Sequence, residues 1–230
     1  MKLIGMLGGM SWESTAEYYR LVNELVRDRR GGVHSARVIV DSVDFADVEA
    51  LQAAGRWAEA GTLLAARARA LESAGAEVLV LCTNTMHLVI DQISAAVTVP
   101  VLHIADAVAA PIRAAGIDRV GLLGTAFTME QTFYRDRLAA HGIQTLTPDA
   151  ADRAVVHRVI YDELVRGIVS EQSRQAYREV IGHLVQEGAD GVILGCTEIE
   201  LLISADDSPI PIFPTTRIHA EAVVDAALPG

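Results

Sequence analysis

Two cysteines, Cys82 and Cys196, are the only thiols in 230 residues, and each is followed by threonine: Cys82-Thr83-Asn84-Thr85 and Cys196-Thr197-Glu198. Each closes an apolar run, Glu77–Leu81 or Gly191–Leu194, and opens a stretch that reads as helix. In open α/β sheets the carboxyl ends of the strands face the ligand crevice, so a cysteine there is placed for chemistry. The unpaired N–H groups and positive end of a following helix favour thiolate. A free thiol titrates near ~8.5, so a modest downward push makes it a usable base near neutrality. The same N–H groups, with the hydroxyls of Thr83, Thr85 and Thr197 and the Asn84 amide, can hold a carboxylate.

A lone cysteine at a strand end usually packs as a small hydrophobe. Here the cysteines sit at matching points of a faint repeat. Ile4-Gly5-Met6-Leu7-Gly8 parallels Val120-Gly121-Leu122-Leu123-Gly124, and Gly75-Ala76 and Gly188-Ala189 each precede a cysteine-ending run. The spacing from glycine to cysteine is 74 residues (Gly8 to Cys82) and 72 residues (Gly124 to Cys196). Related lobes packed face to face would set the thiols on opposite sides of one cleft. That arrangement suits stereoinversion, in which one thiolate removes a Cα proton and the opposite thiol delivers another.

Composition removes several competing chemistries. The 19 basic residues include a single lysine, Lys2, so no pocket lysine offers a pyridoxal Schiff base, and no Walker lysine follows a glycine cluster. Two distant cysteines without CxxC spacing do not make a zinc site. No cofactor or metal is expected, and the carbanion must be stabilised by desolvation and hydrogen bonds. A net charge of −11 without a basic stripe speaks against nucleic acid. No apolar run is long enough to span a membrane, and 51% hydrophobic content is too high for a disordered chain. Met1-Lys2-Leu3-Ile4 enters an apolar strand directly, which together with two unpaired thiols suggests the cytoplasm.

Around the cysteines, short apolar runs alternate with helical stretches. Strands are expected at Leu3–Leu7, Ala36–Asp41, Glu77–Leu81, Val99–Leu102, Arg119–Leu123, Gly191–Leu194 and Ile210–Phe213. Helices are expected between them, for example at Glu13–Arg30, Arg56–Ala74, Asn84–Ala95, Met129–His141, Ala151–Arg166 and Ser173–Glu187. Nearly all-apolar strands imply parallel sheets covered on both faces. The fold class is therefore α/β, with two pseudo-symmetric lobes that each carry a mainly parallel sheet flanked by helices. The first lobe is expected to comprise residues 1–100 plus 207–230, and the second 101–206.

The strings Gly8-Gly9-Met10-Ser11-Trp12-Glu13-Ser14-Thr15, Leu81-Cys82-Thr83-Asn84-Thr85-Met86-His87, Leu123-Gly124-Thr125 and Gly195-Cys196-Thr197-Glu198-Ile199 carry a wider resemblance. Over essentially its whole length the chain resembles the aspartate/glutamate racemase family, nearest its broad-specificity amino-acid branch. The resemblance implies a cofactor-independent isomerase, commonly a homodimer, acting on a small amino acid between two lobes. It implies Cys82 and Cys196 as proton donor and acceptor, with Thr83, Asn84 and Thr85 on the substrate carboxylate. Thr125 and Thr197 would assist, and Met10 and Gln52 match substrate-contacting positions. Aspartate-specific relatives carry an arginine directly after an aspartate, whereas Asp47 is followed here by Val48. Loss of that guanidinium favours broad or neutral substrates over strict aspartate.

The remaining polar residues read more plainly. His87, about one and a half helical turns beyond Cys82, faces elsewhere and reads as a supporting residue. Arg56 and Arg166 read as solvated helix charges, with reach into the pocket in place of the missing arginine as the alternative. His103 and Asp106 do not suggest a metal site, and Thr128–Gln131 fits a capping box. Glu198 suits a helix first turn and equally a substrate ammonium. Two other functions use the same residues: an isomerase or decarboxylase acting on a small dicarboxylate through one cysteine, and a non-catalytic amino-acid-binding or thiol-redox protein.

Overall fold

A computed structural model describes residues 1–228, in two compact units. The first spans Met1–Ile104 and resumes from Thr216; the second is Ala105–Thr215. The first unit runs β1 (Ile4–Gly8), α1 (Trp12–Arg30), β2 (Val38–Ser42), α2 (Phe45–Ala53), α3 (Trp57–Ser73) and β3 (Val78–Leu81). A 3₁₀ turn (Thr85–Val89), α4 (Ile90–Ser94) and β4 (Val101–Leu102) follow, and α5 (Ile104–Ala114) leads into the second unit. There the order is β5 (Arg119–Gly124), α6 (Ala126–Glu130), α7 (Phe133–Ala140), β6 (Gln144–Leu146), α8 (Ala150–Asp162) and α9 (Glu171–Gln186). Next come β7 (Gly191–Gly195), α10 (Ile199–Leu202) and β8 (Ile212–Pro214), before α11 (Thr215–Ala227) returns the chain.

Each unit holds one four-stranded, wholly parallel sheet, ordered β2-β1-β3-β4 and β6-β5-β7-β8. Strand alternation explains the layering. Ile4, Met6, Val78 and Val80 share one buried cluster with Tyr18, Leu21 and Val22 of α1 and Val223 and Val224 of α11. Leu7, Leu79 and Leu81 turn to the other face, among Leu64, Ala68 and Leu71 of α3. In the second unit Leu123, Val192 and Leu194 pack with α8 and α9 through Val156, Val159, Tyr177 and Leu184. Strands covered on both sides are the physical reason that the runs read as continuously apolar.

Both sheets reverse their order between the first and third strands of the unit. The carboxyl ends flanking that reversal form the crevice of an open α/β sheet. In the first unit these ends are Gly8 and Leu81; in the second, Gly124 and Gly195. At the first, Gly9 adopts φ +91°, and a Cβ there would collide with the Val43 backbone, so only glycine fits.

Several elements depart from the sequence-based reading. β6 is short and partly polar and has no counterpart among the expected strands, and α2, α5 and α11 lie outside the helical stretches given above as examples. The stretch Met129–His141 is two helices, because Gln131 is extended (ψ 152°) and ends α6. The helix caps on Thr125, whose side chain accepts from the Thr128 N–H, so the capping box placed at Thr128–Gln131 is absent. β8 pairs with β7 in the second sheet, whereas the sequence reading assigned everything after Asp206 to the first lobe. The part of that assignment covering Pro229 and Gly230 lies outside the described residues.

Candidate active site

Cys82 lies one residue beyond β3. Its N–H donates to the Leu7 carbonyl (2.9 Å), extending the β1–β3 ladder past the strand end. Its own carbonyl accepts from the hydroxyl of Ser14 in the first turn of α1 (3.2 Å). The thiol is fully buried. The Gly8–Thr15 string shapes the neighbouring strand end: the Thr15 hydroxyl accepts from the Gly9 N–H (2.8 Å) and donates to the Ser11 carbonyl (2.9 Å). Gly8 leaves room for Thr15, since a Cβ at that position would overlap its side chain.

Cys196 occupies the corresponding place one residue beyond β7 and is half-buried. Its Sγ donates to the Glu198 Oε2 at 2.9 Å. From sequence, Glu198 reads as a helix-turn carboxylate or an ammonium ligand. Its contact with the thiol was missed, although the two-residue spacing was open to view.

The electrostatics correct one expectation. The element after Cys82 is a 3₁₀ turn, and α10 after Cys196 has four residues, so neither supplies a sizeable dipole. Burial dominates instead and pushes the Cys82 thiol well up. Cys196 is raised first by burial and then by the negative charge of Glu198. Both groups are thiols at rest rather than thiolates.

The surrounding candidates divide by unit. In the first, Asn84 is buried, and Thr83 and Thr85 are half-buried. Met10 and Val48 belong to one buried cluster with Met86, and the Gln52 amide donates to the Met86 Sδ (2.8 Å). In the second, Thr125 is buried at the amino end of α6, and Thr197 is half-buried beside Cys196. His157 was not singled out from the sequence. Its Nδ1 accepts from the Ala126 N–H (3.2 Å) and so supports that same turn. Arg56 is exposed and paired with Glu59, and Arg166 is exposed. Asp106 binds Arg137 and His141. Among the described residues no group of three or more His, Cys, Asp or Glu is set to hold a metal ion, and no helix is long and apolar enough to cross a membrane.

Two parallel α/β units, each with a cysteine at the strand end beside the order reversal, define the class of protein. Residues 7–223 match the family described as Asp/Glu/Hydantoin racemase, and the chain belongs to that family. It is a racemase, an isomerase by class. A crystal structure of a Yersinia pestis protein, described as a candidate Asp/Glu racemase, is 56% identical with a TM-score of 0.94, covering 99% of both chains. An aspartate racemase homologue from Pyrococcus horikoshii OT3 is 34% identical with a TM-score of 0.88, again over 99% of both chains. A broad specificity amino-acid racemase of Bacillus subtilis is 27% identical over 161 residues, which is 69% of this chain and 68% of the relative.

Proposed function

We propose that the protein interconverts the enantiomers of free amino acids by two-base proton transfer at Cα, using Cys82 and Cys196 and no cofactor. The observation that carries this reading is the equivalence of the two cysteine positions. Each follows the third strand of a unit with the same sheet order, and each begins a Cys-Thr pair.

The chemistry follows from the resting thiols. A zwitterionic substrate brings an ammonium group, whose positive charge lowers the pKa of a nearby thiol. Glu198 accepts the Cys196 proton and leaves a thiolate. The thiolate takes the Cα proton and becomes a thiol, while the Cys82 thiol protonates the carbanion from the opposite face. The forward reaction leaves a Cys82 thiolate and a protonated Glu198. In reverse, that thiolate takes the Cα proton of the opposite enantiomer, the Cys196 thiol protonates the carbanion, and Glu198 returns its proton to Cys196. Thr83, Asn84 and Thr85, with Thr125 and Thr197, hold the substrate carboxylate, drawing charge away from the developing carbanion. Met10 and Gln52 contact the substrate side chain. The apolar Val48, in place of an arginine, supports broad or neutral substrates rather than strictly aspartate. By analogy with the family the protein works as a homodimer, and its unpaired thiols suit the reducing cytoplasm.

Incubation of single enantiomers of a broad amino-acid panel in deuterium oxide tests the proposal. Loss of optical rotation with deuterium incorporated at Cα is the expected result. Absence of Cα exchange across the panel would sink it.

A further inference from the structure

Behind the Cys82 loop the first unit buries a cluster of neutral polar rings for which the proposed proton transfer has no use. His87 lies in the 3₁₀ turn that follows Thr83 and Asn84, and it is 2% exposed. Its Nδ1 is 2.8 Å from the Thr83 carbonyl, and its Nε2 is 3.1 Å from the Ile104 N–H. A carbonyl only accepts and a backbone N–H only donates, so the proton must sit on Nδ1 and the lone pair on Nε2. His219 of α11 shows the opposite tautomer. Its Nε2 donates to the Leu102 carbonyl (3.0 Å), which leaves Nδ1 to accept from the Tyr18 hydroxyl (2.9 Å).

The ring of His87 lies 4.9 Å from that of His103 and 5.6 Å from that of His219, centroid to centroid. The Ile104 N–H needs a lone pair on His87 Nε2, a bond that only a neutral imidazole can make. Burial and the neighbouring imidazoles also hold His87 well below the usual histidine range. A base at this position has no free nitrogen, which excludes His87 from proton transfer. What it can do is hold the backbone.

The segments it holds are informative. Thr83 is the first residue of the loop after Cys82. Ile104 is the last residue of the first unit before the chain leaves it, and His219 follows shortly after the chain returns at Thr216. The Thr83 carbonyl and the Asn84 N–H share one rigid peptide plane. Pulling the carbonyl toward His87 therefore fixes the direction in which the Asn84 N–H points. The preceding carbonyl, that of Cys82, is fixed by Ser14. Two successive peptide planes are thus set from behind.

We infer that His87 is a positioning residue that latches the Cys82–Thr85 loop to the segment by which the chain leaves the first unit, its Nδ1–H orienting the loop and its Nε2 holding Ile104. As a statement about catalysis this rests on the proposed racemase reading; as a statement about the loop it does not.

Asparagine and glutamine separate the two bonds. An asparagine amide reaches the position of Nδ1 and keeps a donor for Thr83, whereas glutamine reaches Nε2 and keeps an acceptor for Ile104. In His87→Gln, alkylation of Cys82 by iodoacetamide should rise about tenfold, the scale of losing one buried hydrogen bond. In His87→Asn it should stay near wild type, with Cys196 unchanged in both, as mapped by peptide mass spectrometry. With a racemised substrate, kcat/KM should fall about tenfold further in His87→Gln than in His87→Asn at matched Tm. Equal Cys82 reactivity in the two variants, or a parallel rise at Cys196, would overturn the latch. If the wild-type protein racemises nothing, the functional reading fails while the alkylation result still judges the latch. Should neither variant fold, the ¹⁵N-histidine spectrum of the wild-type protein decides. It should show one buried neutral Nδ1–H imidazole that does not titrate between pH 5 and 8, and its absence counts against the inference.

Discussion

Cys82 and Cys196 stand at the same point of the same topology, yet their surroundings treat a proton differently. Cys82 is sealed, its backbone bonded on both sides to Leu7 and Ser14 and its loop backed by neutral imidazoles. Cys196 is more open and donates directly to the Glu198 carboxylate. At one position the backbone is pinned; at the other the thiol is paired with a carboxylate. The lesson is that a shared strand-end scaffold sets where a thiol stands, and the side chains packed behind it set what the thiol can do.

The strongest way to break the comparison is to remove each thiol in turn. Cys82→Ser and Cys196→Ser should each lose racemisation by about 10³-fold, the scale of a general acid or base. Each should retain some Cα deuterium exchange from one enantiomer only, and opposite enantiomers in the two variants, as followed by NMR. Matching residual exchange in both would mean that the thiols do not divide the faces.

Acid should separate the two units next. Burial lowers the His219 pKa to about 4, so the unfolded chain binds a proton that the folded chain refuses. Stability from this group is complete above the unfolded histidine value near ~6.5 and declines as pH falls below it, by about 3 kcal/mol at pH 4. His87 adds to the loss in the same direction. The buried polar anchor of the second unit is instead Asp207, held by Arg174, Arg178 and Ser204, with its carboxyl well below the usual range. A depressed carboxyl is lost only as pH falls through the lower, carboxylate range. Amide hydrogen exchange between pH 6.5 and 4 should therefore show the first unit loosening before the second. Simultaneous loss in both would contradict the contrast between a neutral and a charged anchor.

The smallest effect sharpens the comparison at one cysteine. Glu198→Gln removes a negative charge, so the pH midpoint for Cys196 alkylation should move down. It also removes the proton acceptor, so kcat should fall by about tenfold or more. Cys82 alkylation should not change. A midpoint moving upward would show that the carboxylate does not govern Cys196.

Much of this architecture was legible in the chain because it is local. β1, β3, β5 and β7 are apolar runs enclosed on both faces, and the glycines and Cys-Thr pairs sit at their ends in plain order. The elements that are not legible have weak local signals. β6 is three residues with a polar start; α5 carries Pro111 inside an alanine-rich stretch; α2 has little separation of polar and apolar faces. No sizeable helix dipole reaches either cysteine, because helix length after each depends on packing that a motif does not encode.

The amino-acid order by itself determined the α/β class, the doubled strand–cysteine–threonine pattern and the absence of a usable pocket lysine, because periodicity and neighbouring residues need no third dimension. Only the tertiary structure decided the state of the protons. The Tyr18–His219 bond joins residues 201 positions apart, and the His219–Leu102 bond joins residues 117 apart. Desolvation and hydrogen bonding act through space, so the tautomers of His87 and His219 and the raised thiols emerge only when distant segments close over them.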